Sequence, residues 1–194
     1  MAIKIFIDQG HNPTNPNAGA EGNGLREQDL TYRIGVEVAK LLEDDPNYEV
    51  RLSRNSPEES LGTSNSTSLA ARVSAANSWG ADYFISLHAN ASSNSAASGT
   101  EGYVYSTDSA GFPLARNVVA GVADATGLSD RGVFVRPSLY VLRRTAMPSA
   151  LIELGYITNP GDAALMNEQP GSFARGVYNG LNSFFGFQVT SDNT

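Results

Sequence analysis

Cysteine is absent from the 194 residues, so no disulfide and no thiolate metal site can be built. Basic residues are scarce: 13 Lys and Arg stand against 20 Asp and Glu, a net charge of −7. A nucleic acid needs a basic surface to meet its phosphates, so DNA and RNA are excluded as expected partners. No apolar run approaches the ~20 residues that span a bilayer, so no membrane span is expected. No secretory leader precedes the first apolar run, so any export signal is expected to have been removed or to lie outside these residues. Histidine is rarer still, with only His11 and His88. What the chain does have is a 41% share of hydrophobic residues, enough to build a core and too many for a charge-driven disordered chain.

Short apolar runs alternate with helix-period segments, the pattern of an α/β layer fold. Strands are expected at Ile3–Ile7, Tyr48–Ser53, Asp82–Leu87, Thr100–Ser106, Gly132–Val135, Leu139–Arg143 and Ala150–Leu154. A helix is expected from Glu27 to Glu43, with Leu30, Ile34, Val38 and Leu41 on one face. Others are marked by Leu69, Val73 and Ala76, by Leu114, Val118 and Val122, and by Phe173, Val177, Leu181 and Phe184. Asn159-Pro160 opens a short one, with proline at its first position. The segment from Asn12 to Gly24 is rich in Pro, Asn and Gly and can hold neither helix nor ladder for long. The expected architecture is α/β: a single domain with a central mixed, mostly parallel twisted sheet of about six strands and helices on both faces. Residues 1–187 form that domain, and 188–194 a polar tail or the start of a linker.

Ligands of open α/β sheets gather beyond the carboxyl ends of the strands. Three buried-looking strands run out at His11, at His88 and at Glu153. Glu27 opens the helix that follows the first strand, two turns before Ile34 on the same stripe, so it points inward over the strand ends. Two imidazoles and two carboxylates therefore converge on one rim. Two histidines and one carboxylate are a common catalytic zinc set with a fourth position left for water. A further carboxylate beside that position can take the water proton and hand it to a leaving amine. The set is complete for hydrolysing an amide, and a carboxylate within Leu151-Ile152-Glu153-Leu154 is costly to bury unless paired or metal-facing. Asp8, close to His11, reads as a carboxylate that organises the loop. Gly22-Asn23-Gly24 lies too far from the first strand for a dinucleotide loop, and no G-x-S-x-G elbow is present.

Four motifs in order resemble a known family. They are Ile7-Asp8-Gln9-Gly10-His11, Gly24-Leu25-Arg26-Glu27-Gln28-Asp29, Ile85-Ser86-Leu87-His88-Ala89-Asn90 and Pro148-Ser149-Ala150-Leu151-Ile152-Glu153-Leu154-Gly155. Smaller echoes are Leu52-Ser53-Arg54, Arg72 with Asn77, and Leu139 to Arg143. The chain is similar, from Ile5 to about Phe185, to the zinc-dependent N-acetylmuramoyl-L-alanine amidases of the amidase-3 type. The resemblance implies one zinc ion held by His11, Glu27 and His88, with Glu153 as the catalytic carboxylate and Asn90 on the substrate's peptide backbone. It implies peptidoglycan as substrate, cut between N-acetylmuramic acid and the first L-alanine of the stem peptide, at an extracytoplasmic site in the wall or envelope.

Two departures from the family pattern carry expectations. Asn12-Pro13-Thr14-Asn15-Pro16-Asn17 stands where the family has a short Gly-rich stretch, which should stiffen and enlarge one rim. Thr107 to Pro113 leaves no room for the long inserted helix that plugs some members, so the cleft should be open. A domain of net charge −7 gains no long-range attraction from an acidic wall, so a separate wall-binding module or targeting protein is expected. A zinc peptidase of the stem or cross-bridge, a silent wall-binding module and a metal-free carbohydrate hydrolase using Glu27 and Glu153 are the competing readings.

Overall fold

A computed structural model describes residues 2–188. The tail expected over 188–194 lies, apart from Gln188, outside the described residues. The chain order begins with β1 (Ile3–Gln9), β2 (Glu21–Gly22), β3 (Leu25–Arg26), α1 (Glu27–Glu43), β4 (Tyr48–Leu52), α2 (Asn65–Trp79), β5 (Tyr83–Asn90) and β6 (Thr100–Val104). It continues with α3 (Gly111–Thr126), β7 (Asp130–Val135), α4 (Tyr140–Arg144), β8 (Ser149–Tyr156), α5 (Pro160–Glu168) and α6 (Pro170–Phe185).

Six strands form one sheet in the order β4-β1-β5-β8-β6-β7. Of the neighbouring pairs only β6–β8 is antiparallel, so the sheet is mixed and mostly parallel. Period-two burial sorts its side chains. Ile5, Ile7, Ile85, Leu87, Ile152 and Leu154 face a core closed by Ile34 of α1, Val118 of α3 and Val177 of α6. Phe6, Phe84 and Leu151 face the other way, onto Val73 and Ala76 of α2 and Val141 and Leu142 of α4. Helices thus cover both faces.

The chain leaves β1 for β4 on one side and then returns across it to β5 on the other. That reversal opens a crevice at the carboxyl ends of β1 and β5, the usual place for a ligand in such sheets.

Three expectations need correction. Leu139–Arg143 is not a strand: its core is the helical turn α4, and Val141 and Leu142 are both buried. Consecutive burial suits a helix packed on a sheet, whereas a half-buried strand would expose one of the two, and so short an apolar run fits either period. On α1 the buried stripe runs through Leu42, with Leu41 only half-buried. Glu153 does not end its strand, because β8 continues to Tyr156. The Asn12–Gly24 segment closes on a minimal ladder, with Asn23 (φ 51°) and Gly24 (φ 75°) making the turn between β2 and β3. Two positive φ values suit Asn-Gly and set this hairpin's twist.

Candidate metal centre

His11, Glu27 and His88 come together, with one ligand atom from each lying within 4.8 Å of the others. Each arrives from a different element. His11 follows β1, where Gly10 N–H donates to Leu87 O at 3.0 Å and prolongs the pairing with β5. His88 sits near the end of β5. Glu27 opens α1, its backbone N–H donating to Ala20 O at 2.9 Å.

Glu27 Oε1 stands 3.1 Å from His11 Nε2 and 3.0 Å from His88 Nδ1. Backbone amides fix the carboxylate's orientation: Ala89 N–H donates to Oε1 and Ala20 N–H to Oε2. Burial alone would raise the Glu27 carboxyl's pKa, but the two imidazoles outweigh it and hold the group well below the usual carboxylate range. Two glycines make room for the rings. A Cβ on Gly10 would lie 2.6 Å from His88 Cε1, and one on Gly19 would lie 2.8 Å from Glu27 Oε2 and 3.0 Å from His11 Cδ2.

This donor set fits zinc. Tetrahedral zinc with bonds of about 2.0 Å asks for ligand atoms roughly 3.3 Å apart, close to the two spacings on Glu27. The donors are nitrogen and oxygen only, and the two imidazole side chains keep 21% and 19% exposure, so solvent reaches them.

The His11 backbone is held under strain, at φ 70°, a region that side-chain-bearing residues rarely adopt. A buried arginine supplies the restraint. Arg72 Nη2 donates to His11 O at 2.6 Å and to Asn12 Oδ1 at 3.1 Å, while Nη1 donates to Asp8 Oδ1 and Gln9 O at 2.6 Å each. Asp8 Oδ2 accepts from Ser86 Oγ at 2.7 Å. Asp8 therefore does organise the loop, through Arg72. Burial pushes the Asp8 carboxyl up, but Arg72 and Ser86 more than reverse this and leave it below its ordinary value.

Glu153 is the register partner of His88 across the parallel β5–β8 pair. Both side chains therefore project from the same face. Glu153 Oε2 is buried with no hydrogen-bond partner among the described residues. Burial, followed by the nearby charges of Glu27 and Glu101, pushes its pKa well above the ordinary carboxyl value. Beside the cluster runs a cleft of about 110 Å³ walled by His11, His88 and Arg72 and by Leu69, Tyr140 and Leu151. Asn90 is occupied internally: Nδ2 donates to Glu101 Oε1 at 2.9 Å and Oδ1 accepts from Ala91 N–H.

Residues 5–183 match the family described as Amidase_3, N-acetylmuramoyl-L-alanine amidase. The chain belongs to the N-acetylmuramoyl-L-alanine amidase family. Among amidase relatives, CwlM of Bacillus licheniformis is 38% identical over 183 residues, covering 92% of this chain and 67% of that protein. The sporulation-specific N-acetylmuramoyl-L-alanine amidase of Bacillus subtilis (strain 168) is 35% identical over 195 residues, covering 98% and 71%. The solved catalytic domain of the amidase CwlV from Bacillus (Paenibacillus) polymyxa var. colistinus superposes with a TM-score of 0.83 at 30% identity, covering 96% of this chain and 99% of that one. The chain is thus a hydrolase of the amidase-3 type acting on peptidoglycan, and its α/β sheet is that of an amidase catalytic domain.

Two contributors escape the motif reading of this amidase. Glu101 is buried beside Glu153 on β6 and carries no motif of its own. Arg72 was visible only as an isolated echo; its three-way grip on Asp8, Gln9 and His11 depends on contacts more than sixty residues apart along the chain.

Proposed function

We propose that this amidase cuts the bond between N-acetylmuramic acid and the first L-alanine with one zinc ion held by His11, Glu27 and His88, and with Glu153 as the acid-base residue. The observation that carries the reading is the shared contact of Glu27 Oε1 with both imidazoles beside a half-buried carboxyl of raised proton affinity. Zinc in such a site supplies a Lewis acid for the scissile carbonyl and lowers the pKa of water towards neutrality. Glu27 stays ionised between the two imidazoles, so it acts as a ligand and not as the acid. Glu153 takes the proton of the attacking water on its carboxylate and returns it to the departing alanine nitrogen as the C–N bond breaks. Its raised pKa strengthens it as the acceptor in the first transfer. Asn90 keeps one Nδ2 hydrogen beyond its bond to Glu101, which is the donor it would offer to the peptide backbone.

His11 and His88 are partly exposed, and only residues 105–110 join β6 to α3, which supports a cleft free of an inserted plug. Action in the cell wall, outside the cytoplasm, follows from the substrate. No described helix is long and apolar enough to cross a membrane. With a net charge of −7, retention at the wall would rest on a separate wall-binding module or a targeting protein. Residues 1–187 would serve as the catalytic domain.

The test is mass spectrometry of digested peptidoglycan together with elemental analysis of the protein. Release of intact stem peptides by a chain carrying one zinc supports the reading. Products cleaved within the stem, or full turnover in a metal-free chain, would refute it.

A further inference from the structure

Register turns the site's face of the sheet into a polar lane. His88 on β5 partners Glu153 on β8, and Glu153 partners Glu101 on β6. At the edge, Thr100 pairs with Asp130 but Gly102 with Val133, so both Arg131 and Gly132 oppose Glu101. This is a β-bulge, and Gly132 absorbs it at φ 92°. Bulges at sheet edges re-aim side chains. Here the bulge turns Arg131 inward: Nε donates to Glu101 Oε2 at 2.9 Å and Nη1 to Ser98 O at 3.3 Å. The guanidinium also lies 5.3 Å from the centre of the Tyr156 ring.

Glu101 has its oxygens occupied by Asn90 Nδ2, by the Tyr103 hydroxyl at 2.5 Å and by Arg131. It is a buried prop and not a free acid. Arg131 is different. It is pinned on three sides, by Glu101, Ser98 and Tyr156, yet its side chain is 40% exposed. A guanidinium fixed in this way, with its outer edge in solvent, is preorganised for a carboxylate. Beside Glu153, Glu101 contributes only negative charge to this lane, and Arg131 is the cation that lies directly against it.

The spacing defines what it can reach. Strands lie about 4.8 Å apart, so a guanidinium drawn back over β6 sits roughly one strand spacing from the β8 row that holds Glu153. An extended peptide advances about 3.3 Å per residue. A peptide whose first amide lies at Glu153 therefore brings its second residue to Arg131. We propose that Arg131, positioned by Glu101 and Tyr156, is a specificity-determining residue that takes a carboxylate on the second residue of the substrate's peptide arm. This rests on the reading that Glu153 stands at the scissile amide.

The experiment uses two synthetic muramyl peptides that differ only in a carboxylate or a carboxamide on the second residue. The zinc-loaded enzyme should prefer the carboxylate by about tenfold in kcat/KM, chiefly through KM, as a charge-assisted pair predicts. In Arg131→Gln the preference should collapse to near one, and in Arg131→Lys it should be intermediate, with charge kept and the fork lost. A preference unchanged in Arg131→Gln would overturn the proposal. So would an equal loss on both substrates with a lowered melting temperature, which marks a merely structural arginine. Calorimetric titration of the two released peptides separates the failures. If neither muramyl peptide is cut but the carboxylate peptide binds more tightly in an Arg131-dependent way, the placement of the scissile bond fails and the carboxylate site stands.

Discussion

Glu153 lies between His88 and Glu101, its register partners on β5 and β6. This one row explains why a carboxyl is tolerated there. On one side an imidazole belongs to a cation-ready cluster, and on the other a saturated carboxylate adds negative charge. A proton or a nearby cation relieves both burial and repulsion, so the position favours a group that cycles between charged and neutral forms.

Removing the charge of Glu153 while keeping its shape should separate chemistry from folding. Glu153→Gln should lose roughly 10²–10⁴-fold in turnover, the usual worth of positioned acid-base catalysis. Its melting temperature should stay level or rise, since the costly buried charge and its repulsion from Glu27 and Glu101 are gone while the shape is kept. Peptidoglycan turnover, zinc content and thermal melts on the same preparation check this. Loss of zinc along with activity would place Glu153 among the ligands.

Metal removal should show in stability as well as in rate. A ligand that binds only the folded state contributes about 2.7 kcal/mol at a concentration one hundred times its Kd. The chelated chain should melt lower, lose turnover and regain both with added zinc. His88→Ala should be far less responsive to zinc, because one of the two imidazoles that meet Glu27 Oε1 is gone. A melting curve indifferent to chelator and zinc would count against a resident metal.

Much of this arrangement was legible because it is local. The β-branched run at Ile3–Ile7, the apolar spacing that bounds α1 at Glu27 and Glu43, and the alternation of strands and helices each report their own element. The convergence of His11, Glu27 and His88 on one rim follows from strand ends and one helix start, and they meet in space. What stayed hidden is non-local. Arg72 holds the His11 carbonyl from sixty-one residues away, a bond that no periodicity encodes. Glu101 matters only because an antiparallel pairing sets it opposite Glu153. Leu139–Arg143 reads as a strand and folds as a helical turn because the four-residue apolar run Leu139 to Leu142 fits either period until its packing on Leu151 and Phe84 is known.

Glycine at position 10 should prove indispensable for a steric reason. An added Cβ would meet both His88 Cε1 and Leu87 O at 2.6 Å, and the latter is backbone held by Gly10's own hydrogen bond. The imidazole must therefore give way. Gly10→Ala should weaken zinc binding by tenfold or more and cost about 1–3 kcal/mol of stability, as overpacking does. Gly171→Ala, whose Cβ would touch nothing within 4 Å, is the control and should be neutral or mildly stabilising. Zinc titration and denaturant melts of the two variants decide it, and equal behaviour would sink the steric account.

The Asp8–Arg72 pair sets the acid limb of stability. Both side chains are only 1% exposed, with Arg72 Nη1 and Asp8 Oδ1 at 2.6 Å. The folded carboxyl lies below the ordinary 3.8, so its contribution is fully present above that value and is lost as pH falls through the lower folded one. Asp8→Asn leaves Arg72 buried without its counter-charge, and Arg54, also 1% exposed, adds a second cation that pulls against it. Breaking a buried pair from one side costs about 3–5 kcal/mol. Near neutral pH the variant should be less stable by about that much. Below about pH 4 the gap should narrow, because Asp8 of the unfolded wild-type chain takes up a proton there while the folded one keeps its charge to a lower pH. Urea melts of both chains from pH 7 down to pH 3 measure the difference directly. A constant gap across that range would mean that the carboxylate's charge is not what holds Arg72, and through it the strained His11 backbone, in place.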